Sequence, residues 1–301
     1  MLTSFRMNMF LLHMRFCLPL LICLCFLAPA QAQRVKTGPG STTPFSLGVV
    51  DHISSRILGE ERTLNIYLPE GYSSTDTAHY PVIYLLDGSA DEDFIHVAGL
   101  VQFNTFPWVN AIPRCILVGI ANVNRKRDFT FPSPSPSYQK LVPGSGQSAR
   151  FIAFLYQELQ PYINARYRTT PQRTLIGESL GGLLATEVLL RHPTLFDNYI
   201  IISPSLWWND GSLLRETAAP IPAGAAPRKV YIGVGKEGLG PGDNPHVMEV
   251  DANLLAEKLR SDSSKAYTVI FDYLPDENHA TIGHQAVFNA FRKLFRASSQ
   301  P

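Results

Sequence analysis

The sequence predicts an α/β domain with a mostly parallel sheet of about eight strands, antiparallel at its start and covered by helices on both faces. Three observations carry this prediction. Residues 46–57 and 61–69 alternate apolar and polar side chains, as half-buried antiparallel strands do. Later runs are short, continuous and β-branched, which is typical of strands buried on both faces. Helical patterns separate these runs, and strands that alternate with helices build a parallel sheet.

The predicted buried strands follow one another from Pro81 onward, and each ends in Gly, Ser, Asn or Pro. They read VIYLLDG, RCILVGIAN, RTLIGES, NYIIISPS, KVYIGVG and YTVIFDYLP. Between them, residues 149–167 place Phe151, Leu155 and Leu159 on one stripe, which indicates an amphipathic helix. Residues 131–147 are rich in Pro, Ser and Gly, so we expect a long exposed loop there without strand or helix. This loop is predicted to border the carboxyl edge of the sheet, where ligands bind in such folds.

The N-terminus has the features of a cleaved secretory signal. Two arginines precede an apolar run over residues 16–30, and the run leads into the small-x-small pattern Ala-Gln-Ala. The run is short for a membrane span and is interrupted by Pro19. We therefore expect a periplasmic or secreted protein with no stable membrane insertion after cleavage. The predicted parts are a signal peptide cut after Ala32 (1–32), a flexible leader (33–44) and a folded domain (45–298).

Charge and cysteine content exclude other classes of protein. Without residues 1–32 the chain has 24 basic and 25 acidic side chains, a net charge of −1. This balance argues against a nucleic-acid-binding protein, which needs a basic surface to neutralise phosphates. Three of the four cysteines lie in the predicted signal, so Cys115 has no partner for an internal disulfide. The hydrophobic core must therefore stabilise the fold.

A single serine lies between glycines where a predicted strand ends and a helix begins. Residues 177–181 read Gly-Glu-Ser-Leu-Gly, and in that context the pattern predicts a nucleophile elbow with an exposed Ser179 hydroxyl. The helix N-terminus behind the serine favours developing negative charge. A phosphate-binding or structural turn is the alternative, but no lysine follows, as a phosphate loop needs. Ser179 is the predicted nucleophile of an α/β-hydrolase.

A serine nucleophile requires a base, and in this fold the chain order is nucleophile, acid, histidine. His279 follows the last predicted strand by a few residues and directly precedes the last helix, so it is the predicted base. For the acid, Glu237 is the first choice because it lies two residues after the run KVYIGVG, and Asp243 is the second. Asp251, Asp276 or the absence of an acid stay open.

Attack of a serine on a carbonyl group also needs two amides that bind the oxyanion of the tetrahedral intermediate. One is expected from Leu180, the residue after the nucleophile. The other is expected from the loop after the third strand, where Gly88 and Ser89 are the candidates.

These motifs resemble the putative esterase family, the esterase D-like branch of the α/β-hydrolases, over about residues 45–297. The resemblance is carried by YPVIYLLDG, IGESLGG, SPSLWWND, the helical segment 158–168 and PDENHATI. It implies hydrolysis of a small-molecule ester by a serine nucleophile, with neither metal nor cofactor. Other members hydrolyse thioesters, carbohydrate esters or drug esters, and fold alone does not choose among these substrates.

Within the family, SPSLWW and NRKRDFT are similar to the ferric siderophore esterases of the enterobactin and bacillibactin type. This resemblance implies that Arg125, Lys126 and Arg127 meet an anionic iron complex electrostatically. It also implies that Trp207 and Trp208 line the acyl or aromatic pocket. A solvated basic loop and a core position for Trp207 are the alternatives. Two other functions stay open: acyl transfer to an alcohol, and ligand binding without catalysis.

Overall fold

The computed structural model describes residues 44–75, 77–242 and 244–295. The predicted signal peptide and most of the predicted leader lie outside this range, as do Asp243 and the end of the predicted domain. Within the described ranges, no helix combines the length and the apolarity needed to cross a bilayer.

An eight-stranded sheet forms the centre of the described chain, which confirms the predicted fold class. Its order is β1-β2-β4-β3-β5-β6-β7-β8; β1–β2 and β2–β4 pair antiparallel, and the other neighbours pair parallel. The strands are β1 (Val49–Ser55), β2 (Glu60–Tyr67), β3 (Tyr80–Leu85), β4 (Ile116–Ile120), β5 (Thr169–Glu178), β6 (Asn198–Ile202), β7 (Arg228–Gly235) and β8 (Tyr267–Leu274).

Helices cover both faces of this sheet. They are α1 (Phe94–Thr105), α2 (Arg125–Phe129), α3 (Pro136–Leu141), α4 (Ser148–Phe154), α5 (Gln160–Arg166), α6 (Leu180–Arg191), α7 (Ser212–Arg215), α8 (Met248–Arg260) and α9 (Ile282–Leu294). A π-helical stretch, Leu155–Leu159, joins α4 to α5 within the predicted helix over 149–167. It lies directly before Gln160 and Pro161, and proline cannot donate the amide hydrogen bond of a regular helix.

Alternating side chains of the sheet divide the core into two apolar layers. Val82 and Tyr84 of β3 pack with α4–α6 and α8, whereas Ile83 and Leu85 pack with α1 and α9. This follows from the strand geometry, in which successive side chains point to opposite faces. Every residue of β4 and β6 is buried, as their continuous apolar runs predict.

The expectation of a loop without helix over 131–147 was wrong. Residues Pro136–Leu141 form α3, and Pro136 occupies its first turn. Proline is favoured there because the first-turn amides of a helix have no partner within the helix. The proline that suggested a loop therefore starts a helix.

Candidate active site

Ser179 lies in a sharp turn between β5 and α6. Its backbone has φ +60° and ψ −118°, a conformation that L-residues adopt only when the surrounding structure requires it. The flanking glycines make the turn sterically feasible: a Cβ at Gly177 would overlap the carbonyl of Gly181, and one at Gly182 would press on Pro204. The turn therefore has the strained geometry of a nucleophile elbow.

The carboxyl ends of the neighbouring parallel strands bring His279 and Glu237 to this turn. His279 Nε2 lies 3.0 Å from Ser179 Oγ, and its Nδ1 lies 2.6 Å from Glu237 Oε2. Glu237 follows β7 and His279 follows β8, in the order that sequence reasoning predicts. Of the alternative acids, Asp243 lies outside the described residues, and Asp251 instead pairs with His246 Nδ1 at 2.8 Å.

The Glu237 side chain is enclosed, with 3% of its surface exposed. Ser203 Oγ donates a hydrogen bond to its Oε1, and the amide of Gly235 donates to the same oxygen at 3.1 Å. The loop that carries Glu237 is anchored in turn, because Glu249 on α8 accepts hydrogen bonds from the amides of Glu237 and Gly238. Both carboxylate oxygens of Glu237 therefore have partners, and its orientation toward His279 is fixed.

These contacts set the ionisation of the two groups. Burial works against ionisation of Glu237, but hydrogen bonds from His279 and Ser203, with the charge of His279, lower its pKa below the usual value. The hydrogen bond to Glu237 raises the pKa of His279 above that of an ordinary imidazole, against the opposing effect of burial. An ionised carboxylate that orients a histidine and stabilises its protonated form is the arrangement a general base requires.

Sequence reasoning missed Ser203 and Ser205, which lie at the carboxyl end of β6. Ser203 is fully buried, has a φ of +42° and contacts Glu237, at one end of the Ser179–His279–Glu237 chain. Ser205 lies at the other end: its amide donates to the Ser179 carbonyl at 3.0 Å, and its Oγ is 3.5 Å from Ser179 Oγ. The sequence signal for these two serines was the run NYIIISPS. It forms β6 and the residues after it, next to β5, the strand that Ser179 follows.

The three predicted oxyanion donors, the amides of Leu180, Gly88 and Ser89, differ in the partners they have in the structure. Leu180 begins α6, and its amide donates to no other described residue. Gly88 is excluded as a donor, because its amide is bonded to the Ile120 carbonyl at 3.0 Å. The Ser89 amide makes only a long contact of 3.4 Å with Glu92 Oε2, so it is the better placed of the two loop candidates.

In the basic segment 125–127, both arginines form ion pairs with carboxylates of the same chain. Arg125 forms a two-pronged pair with Asp87 at 2.7 and 2.9 Å, and it lines the cavity beside Ser179. Arg127 is not on that cavity; it pairs with Glu60 at 2.6 Å and with Asp128 at 2.7 Å. Both neighbouring carboxylates already compensate its charge, so the structure adds no support to the predicted role of Arg127 in ligand binding. Lys126 is exposed.

The two tryptophans lie in the core rather than on the cleft. Trp208 is fully buried, and its Nε1 donates to the Phe131 carbonyl at 3.0 Å. Trp207 is 5% exposed, and its ring stacks on Tyr138. The structure thus places both indoles away from the cavity beside Ser179, whereas the resemblance predicted that they line a substrate pocket.

A cavity of about 620 Å³ opens beside Ser179 and His279. Its wall is rich in carboxylates, and among the described residues Arg125 is the only arginine or lysine that lines it. The titratable residues on it are Asp87, Glu92, Asp93, His96, Arg125, Glu178, His279 and His284. Among the described residues, no group of three or more His, Cys, Asp or Glu side chains has the geometry to hold a metal ion.

Known esterases are similar to this chain in sequence. The family described as "Putative esterase" matches residues 55–288. The ferri-bacillibactin esterase BesA of Bacillus subtilis (strain 168) is 32% identical over 197 residues, which cover 60% of this chain and 67% of that protein. The resemblance stated from the sequence motifs is thereby confirmed.

Two solved structures are similar over most of the described fold. An IroE-like serine hydrolase from Shewanella oneidensis aligns with a TM-score of 0.70 and 31% identity, covering 82% of this chain and 80% of that one. A BES protein from Bacillus cereus aligns with a TM-score of 0.70 and 26% identity, covering 87% of this chain and 99% of that one.

Proposed function

This chain belongs to the putative esterase family of carboxylic ester hydrolases, and we propose that it cleaves its ester through an acyl-enzyme on Ser179. The observation that carries the proposal is the continuous chain from Ser179 Oγ through His279 to the buried Glu237, with contacts of 3.0 and 2.6 Å. Glu237 holds the imidazole so that Nε2 faces the serine hydroxyl.

The reaction has two halves. Ser179 Oγ attacks the ester carbonyl while His279 Nε2 takes the hydroxyl proton. The same proton then passes to the oxygen of the leaving alcohol, and an acyl-serine remains. Water attacks the acyl-serine with His279 again as base, which releases the carboxylic acid and restores the serine. The amides of Leu180 and Ser89 are the proposed oxyanion donors, and one such donor typically contributes about 10²–10³ in rate.

A siderophore ester is the first substrate class to test, because BesA, named as a ferri-bacillibactin esterase, is a relative. The basic residues 125–127 add no support for this substrate, because Arg125 is paired with Asp87 and Arg127 lies off the cavity. The proposal therefore fixes the reaction, ester hydrolysis by Ser179, and leaves the trilactone as a substrate to be tested.

The test is hydrolysis of ferric enterobactin and of p-nitrophenyl butyrate by the wild type and by Ser179→Ala. Loss of both activities in the variant supports the serine mechanism and a siderophore substrate. Serine-dependent cleavage of the p-nitrophenyl ester alone supports the mechanism and rejects the trilactone. If the wild type hydrolyses neither ester and does not react with a fluorophosphonate probe, a ligand-binding protein replaces the proposal. A change of product with excess alcohol would indicate acyl transfer.

We also propose that the protein acts in the periplasm or outside the cell, as the signal pattern over residues 1–32 predicts. N-terminal sequencing of the protein from the native host tests this proposal. A mature chain that begins at Gln33 supports it, and a retained Met1 in a cytosolic fraction contradicts it.

A further inference from the structure

The residue directly before the nucleophile, Glu178, has no role in the proposed reaction. It ends β5, and its side chain lines the cavity beside Ser179 and His279. Its carboxylate lies against Gly283 at the start of α9, where any Cβ would overlap Glu178 Oε2. The missing side chain at 283 therefore provides the space in which the Glu178 carboxylate faces the cavity.

The Glu178 carboxylate differs from the other carboxylates of the cavity wall in lacking a partner. Asp87 accepts hydrogen bonds from Arg125 and Asn122, Glu92 accepts from Asn122, and Asp93 contacts His96 Nε2 at 3.1 Å. No described residue donates a hydrogen bond to the Glu178 carboxylate or forms an ion pair with it. Arg125 contacts only its main-chain carbonyl, at 3.2 Å. The Glu178 side chain is partly exposed and lines the cavity, so its carboxylate can meet a ligand there.

The charges that face Glu178 make its position unfavourable for a further anion and favourable for a cation. Burial, followed by the carboxylates of Asp93, Asp87 and Glu237, raises the pKa of Glu178 to about 7, against the opposing charges of His279 and Arg125. Arg125 is the only arginine or lysine on the described cavity wall, and its guanidinium is bonded to Asp87. A positive group beside Glu178 would relieve this repulsion and would supply the missing donor.

We propose that Glu178 is a specificity residue whose carboxylate binds an ammonium group of the substrate near the scissile bond. The enzyme would then select esters that carry a cationic amine over neutral esters of the same shape. This inference rests on the proposed function, because it places the ammonium group in the cavity where Ser179 attacks.

Two pairs of isosteric esters test the inference. Methyl 6-aminohexanoate and methyl heptanoate differ by an ammonium group on the acyl side. Butyrylthiocholine and 3,3-dimethylbutyl thiobutyrate differ by a quaternary ammonium on the leaving-group side. The measured quantity is the ratio of kcat/KM for the cationic ester to kcat/KM for its neutral isostere, at about pH 8, where the Glu178 carboxyl is ionised.

We expect the wild type to favour the cationic member of at least one pair by about tenfold, and Glu178→Gln to remove that preference, which corresponds to about 1.4 kcal/mol. Glu257→Gln is the matched control: it removes one negative charge from an exposed residue on α8 that pairs with Arg260, and its ratio should equal that of the wild type.

The inference is overturned if the wild type favours neither cationic ester, or if Glu178→Gln lowers the rates of both members of a pair equally. In either case hydrolysis of the neutral esters and reaction with a fluorophosphonate leave the serine mechanism standing. Failure of the proposed function looks different, because no ester is then hydrolysed in a Ser179-dependent way. Fluorophosphonate labelling of Glu178→Gln shows whether the variant keeps a folded active site.

Discussion

Two glutamates face His279 in the same site, and their surroundings shift their pKa values in opposite directions. Glu237 accepts hydrogen bonds from His279, Ser203 and the Gly235 amide, and its pKa is lowered. Glu178 has no donor among the described residues, and burial together with neighbouring carboxylates raises its pKa to about 7. Identical side chains at strand ends thus differ because of their tertiary neighbours.

The difference separates the catalytic side of the site from its binding side. A carboxylate that orients a base must stay ionised and immobile, and three donors keep Glu237 in that state. A carboxylate that recognises a substrate must leave its hydrogen-bonding capacity unused until the ligand arrives, as Glu178 does. Substitutions of either glutamate, or of a residue next to it, test whether Glu237 serves catalysis and Glu178 serves substrate binding.

The largest effect should come from Ser179→Ala, which removes the proposed nucleophile. We expect kcat for p-nitrophenyl butyrate to fall by about 10⁴-fold or more, as when a protease loses its nucleophile. Initial rates at saturating ester measure the fall, and fluorophosphonate labelling should disappear with it. A variant that keeps a tenth of the wild-type rate would show that another group attacks the ester.

Glu237→Gln should lower kcat by about 10²–10⁴, because the amide no longer stabilises the protonated imidazole or fixes its tautomer. The pH profile should change as well. The pKa of His279 lies above its ordinary value in the wild type, so kcat/KM rises with pH only as the histidine loses its proton. Without the carboxylate this rise should move to lower pH.

Profiles of kcat/KM between about pH 5 and pH 9 measure this shift. An unchanged rate and profile in Glu237→Gln would assign the acid elsewhere, with Asp243, which lies outside the described residues, as the next candidate.

The sequence was sufficient to predict that Ser179 and His279 lie together, because strand order constrains them, but it left the acid open between Glu237 and other candidates. In a parallel sheet the strand ends meet at one edge, so a serine after β5, a glutamate after β7 and a histidine after β8 must converge. It was insufficient for residues whose role depends on a partner far along the chain. The Asp87–Arg125 pair, the burial of Trp208 and the bond from Ser203 to Glu237 each join segments that local patterns do not connect.

Removing the hydroxyl of Ser203 should make the surroundings of Glu237 more like those of Glu178, because Glu237 then has one hydrogen-bond donor fewer. Hydrogen bonds to charged groups contribute about 1.5–3 kcal/mol, so we expect Ser203→Ala to lower kcat by about tenfold and to raise the pKa of Glu237 toward its usual value. Steady-state kinetics with a neutral ester over the acidic pH range measures both effects.

Ser203→Gly is the matched control, because glycine also lacks the hydroxyl but accepts the φ of +42° at this position without strain. Equal losses of kcat in the two variants assign the effect to the hydroxyl. A loss confined to Ser203→Ala would assign it to the backbone instead.

The smallest expected effect is on the free energy of unfolding, and it depends on the ionisation of Glu178. The folded-state pKa of about 7 exceeds the unfolded value of about 4.3, so the native state holds this proton more tightly than the unfolded state does. The free energy of unfolding therefore falls as pH rises from about 4.3 through about 7, and Glu178→Gln avoids that loss. Because solvent screens part of this effect at a partly exposed side chain, we expect the variant to gain about 1–2 kcal/mol over the wild type at about pH 8, and little at about pH 5.

Urea unfolding of both proteins at the two pH values measures the difference, with Glu257→Gln as the control for removing one exposed negative charge. A gain that is the same at both pH values would mean that the ionised Glu178 carboxylate is not destabilising. The two glutamates would then differ in their hydrogen bonds but not in the energy of their charges. A gain that grows with pH would show that the fold tolerates an unfavourable charge at the cavity wall, which a cationic substrate is suited to offset.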